Sequence, residues 1–412
     1  MTSFNFFPLL FIFSLLGSSL LIPIMSIGVG INYGQIADNL PSHDRVAVLL
    51  KSLNITRVKL YDSDPNVLRA FANSDVEFIL GLGGEQLQNM ADLGKAQDWI
   101  QQNVVPFISQ TKITSIIVGN EVLAGNDEQA ITYLYPAMQT VYNALVNLGL
   151  SKQVYVTTAH SLAILANSFP PSSGSFKPDL AQYLQPILNF HAQVKSPFLI
   201  NVYPYFAYKD SPSQIPLNYV LFEPNSGSVD PVTNLHYDNM LFAQIDAVYS
   251  AIRAMGHTDV QVKISETGWP SKGDQNEVGA SVENAGIYNA NLLKRIQENQ
   301  ATPANPSIPI DVYVFALFNE NLKPGPTSER NYGLYYPDGR PVYDVGLQGI
   351  LPPSISSSSG IYVSSIINFI TLIFIAHNFT DSVYLYCLKF NLQALPILIV
   401  TMVQWIIICL LN

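Results

Sequence analysis

The amino-acid sequence predicts an α/β fold, a closed (β/α)8 TIM barrel that forms a single domain over residues 27–349. Two observations lead to this prediction. Eight strand-like stretches alternate with helix-like stretches from residue 27 to about residue 351, which is the order of a parallel barrel ringed by helices. The strand-like stretches are also largely apolar runs, as expected of parallel strands that are buried on both faces.

An open, doubly wound sheet is the competing architecture. Such a sheet carries a glycine-rich phosphate-binding turn between its first strand and its first helix. The sequence at that point reads Tyr33-Gly34-Gln35, which does not have the spacing of that turn, and the Walker phosphate-binding pattern is also absent. The closed barrel is therefore the favoured fold.

The predicted strands are runs of β-forming residues that end at polar or turn-forming residues. They lie at residues 29–34, 57–62, 77–82, 115–121, 153–158, 198–203, 260–265 and 310–318. Two long loops, at residues 167–178 and 204–235, follow the fifth and sixth strands and are rich in Pro. Both belong to the face at which barrel strands end, so we expect them to shape a cleft.

The predicted helices fill the intervals between these strands. Pro65 opens the second one, because proline is favoured in the first turn of a helix, and residues 237–255 carry apolar residues at helical spacing. The helical stretches run through residues 46–50 and over 65–73, 86–108, 128–148, 179–194, 237–255 and 282–296.

The composition limits the classes of function. Of the 412 residues only 12% are charged, and the apolar excess lies at the two ends, residues 1–26 and 361–412. The formal net charge of −10 argues against nucleic acid as a partner, since nucleic-acid binding requires a basic face. Cys387 and Cys409 both lie in the C-terminal tail, so a disulfide framework and a zinc–cysteine site are excluded from the predicted barrel.

The sequences at the two ends of the chain are typical of targeting segments. Residues 1–26 resemble a secretory signal peptide, with Ser26 at the cleavage point; a transmembrane anchor is the alternative. Residues 350–360 form a linker of Ser and Pro, and residues 361–412 form a hydrophobic tail. This order is like that of a glycosylphosphatidylinositol (GPI) signal. A second apolar run follows the first one, so a membrane hairpin or an aberrant gene-model end stays open.

Two N-glycosylation sequons are present, Asn54-Ile55-Thr56 and Asn378-Phe379-Thr380. Asn54 falls in a helix–strand loop, on the side of the barrel away from the strand ends. A glycan at that position is therefore compatible with a functional site at the strand ends.

Four carboxylates stand where predicted barrel strands terminate, namely Asp62, Glu121, Glu266 and Glu320. Such a cluster fits either metal binding or glycoside hydrolysis by a carboxylate pair. Metal sites in barrels usually mix His with Asp or Glu, but only His160 falls near a strand end, and no HxH or HExxH pattern occurs. We therefore expect no metal and no other cofactor, and we expect His160 to be a core or rim residue.

Aromatic residues favour sugar over metal chemistry. Flat rings with polar edges suit the C–H faces of pyranose rings. For Tyr33 and Tyr61, packing inside the barrel is an equal alternative, whereas a surface role is favoured for Tyr203, Tyr205 and Trp269. The aromatic residues at or just past strand ends are Tyr33, Tyr61, Tyr203, Tyr205, Phe206, Trp269 and Phe318.

Several motifs together resemble glycoside hydrolase family 17, the plant endo-1,3-β-glucanases. These motifs are Val118-Gly119-Asn120-Glu121, Ile264-Ser265-Glu266-Thr267-Gly268-Trp269-Pro270, Phe318-Asn319-Glu320-Asn321-Leu322-Lys323-Pro324-Gly325-Pro326 and Glu329-Arg330-Asn331-Tyr332-Gly333-Leu334. Gly30-Ile31-Asn32-Tyr33-Gly34 and Val58-Lys59-Leu60-Tyr61-Asp62 match its first two strands. The resemblance covers about residues 27–349.

This resemblance implies a role for each motif. Glu121 corresponds to the proton donor, which acts as acid and base, and Glu266 to the nucleophile of a retaining mechanism. Asn120 would hold the sugar 2-hydroxyl. The resemblance further implies a charged network that supports the acid/base, made of Glu320, Lys323 and Glu329, and a substrate-binding surface made of Asn120, Tyr33, Tyr61, Tyr203, Phe206 and Trp269.

The implied protein is a secreted monomer at the cell wall or plasma-membrane surface, with membrane attachment through the tail. Its implied substrate is a 1,3-β-glucan, callose or a fungal wall glucan. Three alternatives stay open: a catalytically silent glucan-binding wall protein, a glucanosyltransferase, and an enzyme that cleaves mixed 1,3;1,4-β-glucan.

Overall fold

Eight parallel strands form a closed barrel at the centre of the protein, which confirms the predicted fold. The structure, a computed structural model, describes residues 28–347 and 349–353. Each strand pairs with its neighbours in the chain, and the last strand pairs with the first through Gly30 and Tyr313. The strands are β1 (Gly30–Asn32), β2 (Arg57–Lys59), β3 (Glu77–Leu82), β4 (Lys112–Asn120), β5 (Tyr155–Ser161), β6 (Phe198–Asn201), β7 (Val262–Thr267) and β8 (Val312–Val314).

Helices surround the barrel in the predicted order, with two differences. The stretch at residues 204–235, predicted as a loop, contains two short helices, Pro204–Asp210 and Leu217–Val220. The stretch predicted as a single helix at residues 86–108 forms two, because the Asp92 carboxylate accepts a hydrogen bond from Lys95 N and starts a new helix. The helices are α1 (His43–Ser52), α2 (Pro65–Ala70), α3 (Leu87–Met90), α4 (Leu93–Asn103), α5 (Glu128–Asn147), α6 (Ala181–Val194), α7 (Pro204–Asp210), α8 (Leu217–Val220), α9 (Met240–Ala254) and α10 (Val282–Gln297).

Side-chain caps fix where the long helices begin. The Asp127 carboxylate accepts from two backbone amides in the first turn of α5. Asn239 accepts from Phe242 N at 2.9 Å at the start of α9, and Ser281 caps α10 in the same way. Each cap satisfies backbone donors that have no partner within the helix.

The N-terminal end of the barrel is closed by a buried group of charges. Arg57 and Asp311 form an ion pair inside the barrel, and Lys263 Nζ lies 2.9 Å from the second Asp311 oxygen. The Arg57 guanidinium also lies over the ring of Tyr313, 4.6 Å from its centroid. Burial pushes the pKa of Asp311 up, but the charges of Arg57 and Lys263 outweigh it and hold that pKa below its usual value.

We expect Asp311→Asn to destabilise the fold by about 3 kcal/mol at neutral pH, because the buried Arg57 and the partly buried Lys263 lose their carboxylate. The Asp311 pKa is lowered in the folded state, so its contribution is present above the unfolded pKa. It is lost as pH falls through the folded pKa. Urea unfolding at pH 7 and near pH 3 measures both effects. The matched control is Asp259→Asn, which breaks an exposed pair with Lys195 and should change little; equal losses in both variants would contradict the expectation.

Two long loops build the rim at the C-terminal end of the barrel. In the first, Leu165–Asn167 pairs with Ser175–Phe176, and in the second, Ser228–Val229 pairs with His236–Tyr237. The Asp230 carboxylate joins the loops, since it accepts from Ser172 N at 2.7 Å and from Ser172 Oγ at 2.8 Å. The loops therefore form one connected wall.

The predicted targeting segments lie outside the described residues. These are the signal peptide at residues 1–26, most of the linker at 350–360 and the tail at 361–412, which includes Asn378. Within residues 28–347 and 349–353, no helix has both the length and the apolar character that a membrane span needs.

Candidate active site

A cleft of about 650 Å³ opens at the C-terminal ends of the barrel strands. Glu121 and Glu266 both line it, which brings together the two carboxylates that the sequence singled out. The wall also contains Tyr61, Asn120, Ser161, Leu162, Ala163, Leu165, Ala166, Ser168, Asn201, Tyr203, Phe206, Ala207, Gln244, Phe315, Lys323, Glu329 and Tyr332. Its mixture of carboxylates, amides and aromatic rings is typical of a carbohydrate site.

The backbone directs Glu121 into the cleft. The register of β4 against β5 shifts between Ile117 and Asn120, and both Gly119 and Glu121 have left-handed backbones, with φ of +74° and +57°. Such irregularities at a strand end re-aim the following side chain. The Glu121 amide remains tied to the barrel, since it donates to Ala159 O at 2.8 Å.

Glu266 lies within β7, which continues to Thr267 beyond the predicted end at residue 265. Its register against β6 shifts between Ile264 and Glu266. The side chain is buried and its carboxylate is held by three donors: Lys59 Nζ at 2.6 Å, the Tyr61 hydroxyl at 2.8 Å and the Tyr203 hydroxyl at 2.9 Å. Donors on both oxygens fix the orientation of the carboxylate.

The surroundings move the pKa values of the two carboxyls in opposite directions. Burial raises the pKa of Glu121, the negative charge of Glu266 adds to this, and a hydrogen bond from Asn201 opposes it. Burial would also raise the pKa of Glu266, but the Lys59 charge and the donated hydrogen bonds outweigh it, so that pKa lies below its usual value. One group is thereby disposed to carry a proton and the other to stay ionised.

Asn201 connects the two carboxylates. Its Nδ2 donates to Glu121 Oε1 at 2.8 Å, while its Oδ1 accepts from Ser265 Oγ at 2.5 Å. Ser265 precedes Glu266 in β7, and Asn201 is the register partner of Glu266 in β6. The serine therefore fixes which way the amide points, and the amide fixes Glu121.

Sequence reasoning assigned no role to Lys59 and Asn201. The signal for Lys59 was its spacing, since Arg57 and Lys59 alternate with Val58 and Leu60 and so share the inner face of β2. Asn201 is a polar residue in an otherwise apolar strand. Both are buried at positions where an unpaired polar group would be costly.

The predicted supporting network is divided in the structure. Lys323 Nζ lies 3.3 Å from Glu329 Oε2 and 4.5 Å from the centroid of the Phe315 ring, and both charged residues line the cleft. Glu320 is buried and accepts from Ile36 N at 2.9 Å. A Cβ atom on Gly34 would overlap the Glu320 carboxylate, which explains the glycine in the first strand motif. The hydrogen bond that Glu121 accepts comes from Asn201, which was not part of the predicted network.

Three aromatic residues stand where they could meet a sugar. Tyr61 and Tyr203 line the cleft with their hydroxyls on Glu266. Phe206 lies beside Tyr203, with ring centroids 5.4 Å apart, and 38% of the residue is exposed. Asn120 also lines the cleft, within 3.5 Å of the Asn201 amide.

The expectation for Trp269 and Tyr205 was wrong, because both are fully buried. A Cβ on Gly268 would overlap the Phe315 carbonyl oxygen, so the chain passes tightly against β8 there. The indole packs against Tyr205 at 5.1 Å and Tyr288 at 5.5 Å, and its Nε1 donates to Gly279 O. Trp269 is therefore a core residue.

Tyr33 is also a packing residue rather than part of the cleft wall. It is 1% exposed, and its hydroxyl lies 3.1 Å from His43 Nδ1. Its ring packs edge-on against Phe318. For Tyr33, the structure therefore favours packing inside the barrel over contact with a sugar.

Among the residues that the structure describes, no cluster of three or more His, Cys, Asp or Glu side chains is arranged to hold a metal. His160 lies in the core, stacked on Phe198 with ring centroids 4.6 Å apart. Burial lowers the pKa of His160 to about 3, so the ring is neutral at physiological pH. Asn54 is exposed in the loop between α1 and β2, at the end of the barrel opposite the cleft.

Comparison with known proteins shows the family to which this chain belongs. The family model described as "Glycosyl hydrolases family 17" matches residues 29–347. Glucan endo-1,3-beta-glucosidase 14 of Arabidopsis thaliana is 70% identical over 332 residues, which is 80% of this chain and 85% of that protein. Glucan endo-1,3-beta-glucosidase 11 of the same plant is 58% identical over 348 residues, covering 84% and 81%.

Solved structures agree with these relatives. CJP38, a β-1,3-glucanase and allergen of Cryptomeria japonica pollen, superposes with a TM-score of 0.75 at 41% identity, over 78% of this chain and 99% of that one. One of two plant β-glucan endohydrolases with distinct substrate specificities gives a TM-score of 0.71 at 34% identity, over 77% and 99%. With the match spanning the whole barrel, this chain belongs to family 17 of the glycosyl hydrolases.

Proposed function

We propose that this chain hydrolyses internal 1,3-β-glucosidic linkages of 1,3-β-glucans by a retaining, double-displacement mechanism. The observation that carries the proposal is the pair of carboxyls in one cleft with opposite pKa shifts, Glu121 upward and Glu266 downward. A glycosidase with a carboxylate pair needs one protonated and one ionised carboxyl beside the scissile bond. The retaining course of the reaction is what the resemblance to family 17 implies. The 1,3-β linkage is inferred from the relatives, which are named glucan endo-1,3-beta-glucosidases.

In the first step, a Glu266 oxygen attacks the anomeric carbon while Glu121 donates its proton to the departing glucosyl oxygen. Lys59, Tyr61 and Tyr203 hold the attacking carboxylate in one orientation. In the second step, Glu121 accepts a proton from water, and the water oxygen displaces Glu266 from the anomeric carbon. Both steps reverse the configuration at that carbon, so the overall result is retention.

The remaining cleft residues are suited to holding the sugar. Asn120 precedes the acid/base in the chain and lines the cleft, and the resemblance to family 17 implies that it holds the 2-hydroxyl of the sugar under attack. The exposed ring of Phe206 offers an apolar face to a neighbouring pyranose. Lys323 and Glu329 form an ion pair in the wall of the cleft.

Product analysis on laminarin tests this function against its alternatives. A hydrolase that cuts within the chain gives short oligosaccharides from the start of the reaction, which is the expected result. Chains longer than the substrate would indicate a glucanosyltransferase, and no change in chain length would indicate a glucan-binding protein. Digestion of a mixed 1,3;1,4-β-glucan in parallel distinguishes the linkage, and we expect slower cleavage there.

We also infer that the chain acts outside the cell, at the wall or the plasma-membrane surface. The signal-like residues 1–26 and the GPI-like order of residues 350–412 support this. Treatment of intact cells with a phosphatidylinositol-specific phospholipase is expected to release the protein. Retention at the membrane after treatment would contradict a GPI anchor and favour a hairpin.

We expect Asn54 to carry a glycan when the chain is secreted from a eukaryotic host. The residue is exposed and has a left-handed backbone, with φ of +55°. Asn54→Asp tolerates that backbone, and Thr56→Val removes the sequon without touching Asn54. Both should lose one glycan by mass spectrometry while hydrolysis stays unchanged, because the loop lies opposite the cleft. A wild-type chain that is unmodified at Asn54 would contradict the expectation.

A further inference from the structure

Lys59 is a buried cation in contact with Glu266, one of the residues that line the cleft. It is 1% exposed, and its Nζ lies 2.6 Å from Glu266 Oε1 and 4.7 Å from the centroid of the Tyr61 ring. A buried lysine ion is costly unless it is paired and hydrogen-bonded. Its position on the inner face of β2 therefore requires a negative partner for as long as it stays charged.

Several charged and titratable groups stand near this cation. Lys59 lies between the two carboxylates: its Nζ contacts Glu266, and it lines a small cavity together with Gly119 and Asn120, the residues that lead into Glu121. Glu121 and Glu266 themselves line one cleft. In agreement with this placement, the charges of Lys59 and Glu266 both act on the pKa of Glu121. Lys323 is engaged elsewhere, in its ion pair with Glu329. The charged and titratable groups around Lys59 and the two carboxylates are Tyr61, Glu121, Tyr203, Glu266, Glu320, Lys323 and Glu329.

We propose that Lys59 is the fixed counter-charge of both catalytic carboxylates in turn, balancing Glu266 in the free enzyme and Glu121 in the glucosyl-enzyme. Lys59 is thus a positioning residue for both chemical steps. This inference rests on the proposed retaining mechanism. It assigns to one buried lysine a role that neither Lys323 nor Arg57 is placed to fill, since each of these is paired with another carboxylate.

The charge balance of the two steps leads to this assignment. In the first step the bond between the anomeric carbon and the leaving oxygen breaks, a bond to Glu266 forms, and the Glu121 proton goes to the leaving oxygen. The negative charge thereby moves from Glu266 to Glu121. In the second step a water oxygen bonds to the anomeric carbon, its proton goes to Glu121, and Glu266 leaves as a carboxylate. The sum of the charges on Lys59, Glu121 and Glu266 stays at zero throughout.

Removing this charge should move the whole pH profile of kcat/KM to higher pH. Lys59 lowers the pKa of both Glu121 and Glu266. Glu266 must be ionised, so its pKa sets the acidic limb, and Glu121 must be protonated, so its pKa sets the basic limb. In Lys59→Met, the apparent pKa of each limb should therefore move upward by about one pH unit.

The two-step role also predicts a loss in the second step. An aryl laminari-oligosaccharide with a good leaving group makes release of the glucosyl-enzyme rate-limiting, so its kcat reports on the step in which Glu121 regains its proton. We expect kcat on this substrate to fall about tenfold or more in Lys59→Met. Lys59→Arg keeps the charge, so both limbs of its kcat/KM profile should stay at the pH of wild type. Lys323→Met should leave the acidic limb at the pH of wild type.

The outcomes separate this inference from the proposed function. A Lys59→Met enzyme that cleaves laminarin with an unmoved pH profile would overturn the role of Lys59 and leave the function standing. Movement of the acidic limb alone, with an unchanged kcat on the aryl substrate, would restrict Lys59 to Glu266 and overturn the shared role. Wild-type protein without cleavage of laminarin would instead refute the function. If Lys59→Met is not recovered folded, Lys59→Gln removes the same charge while keeping a hydrogen-bond donor.

Discussion

Glu266→Gln is expected to lower kcat on laminarin on the order of 10⁴-fold or more. The amide that replaces the carboxylate cannot attack the anomeric carbon, yet its oxygen can still accept from Lys59 and Tyr61. In wild type, three donors hold the Glu266 carboxylate in one orientation. Initial rates of reducing-sugar release from laminarin measure the effect.

The control for this variant is Glu283→Gln, at an exposed glutamate in the first turn of α10. It makes the same chemical change at a residue that does not line the cleft, so its rate should match that of wild type. Circular dichroism and thermal unfolding establish that Glu266→Gln is folded. A folded Glu266→Gln enzyme with a rate near that of wild type would contradict the assignment of the nucleophile.

Glu121→Gln is expected to slow hydrolysis of laminarin by roughly 10² to 10⁴-fold, the usual contribution of a general acid. The loss should be much smaller for formation of the glucosyl-enzyme from an aryl glycoside, because a good leaving group departs without a proton. The amide keeps the shape of Glu121 beside Asn201. Single-turnover release of the aryl group, compared with steady-state hydrolysis of laminarin, measures the difference.

Azide gives a second readout on the same residue. In Glu121→Ala, azide can enter the vacated space and attack the glucosyl-enzyme without base catalysis, so we expect a β-glucosyl azide. In Glu266→Ala, azide would attack from the face of the missing nucleophile and give the α-glucosyl azide. Equal losses on laminarin and on the aryl substrate, with no azide product, would show that Glu121 is not the acid.

The barrel could be predicted from the sequence because its signals are local. Apolar runs that end in Asn120-Glu121 or in Glu266 mark both a buried parallel strand and the side on which it ends. Parallel closure then brings these ends together, whatever the exact strand bounds. For the same reason, the errors in strand bounds left the predicted positions of the carboxylates intact, even though β7 runs two residues beyond its predicted end, to Thr267.

The hydrogen-bond partners of the carboxylates could not be predicted from local sequence signals. Lys59 reaches Glu266 across the barrel, from a residue 207 positions away in the chain, and Asn201 reaches Glu121 across 80 positions. Such contacts depend on strand register, which a single sequence does not specify. Trp269 was misassigned because position near a strand end does not determine the direction of a side chain; the indole is fully buried, and its Nε1 donates to Gly279 O.

Covalent trapping tests whether Glu266 is the nucleophile of a retaining glucanase. A 2-deoxy-2-fluoro laminari-oligosaccharide with a good leaving group forms the glucosyl-enzyme but releases it slowly. Mass spectrometry of the digested protein is then expected to find one fluoroglucosyl chain, in ester linkage to Glu266. A label on Glu121, or no label under conditions in which laminarin is hydrolysed, would contradict the mechanism.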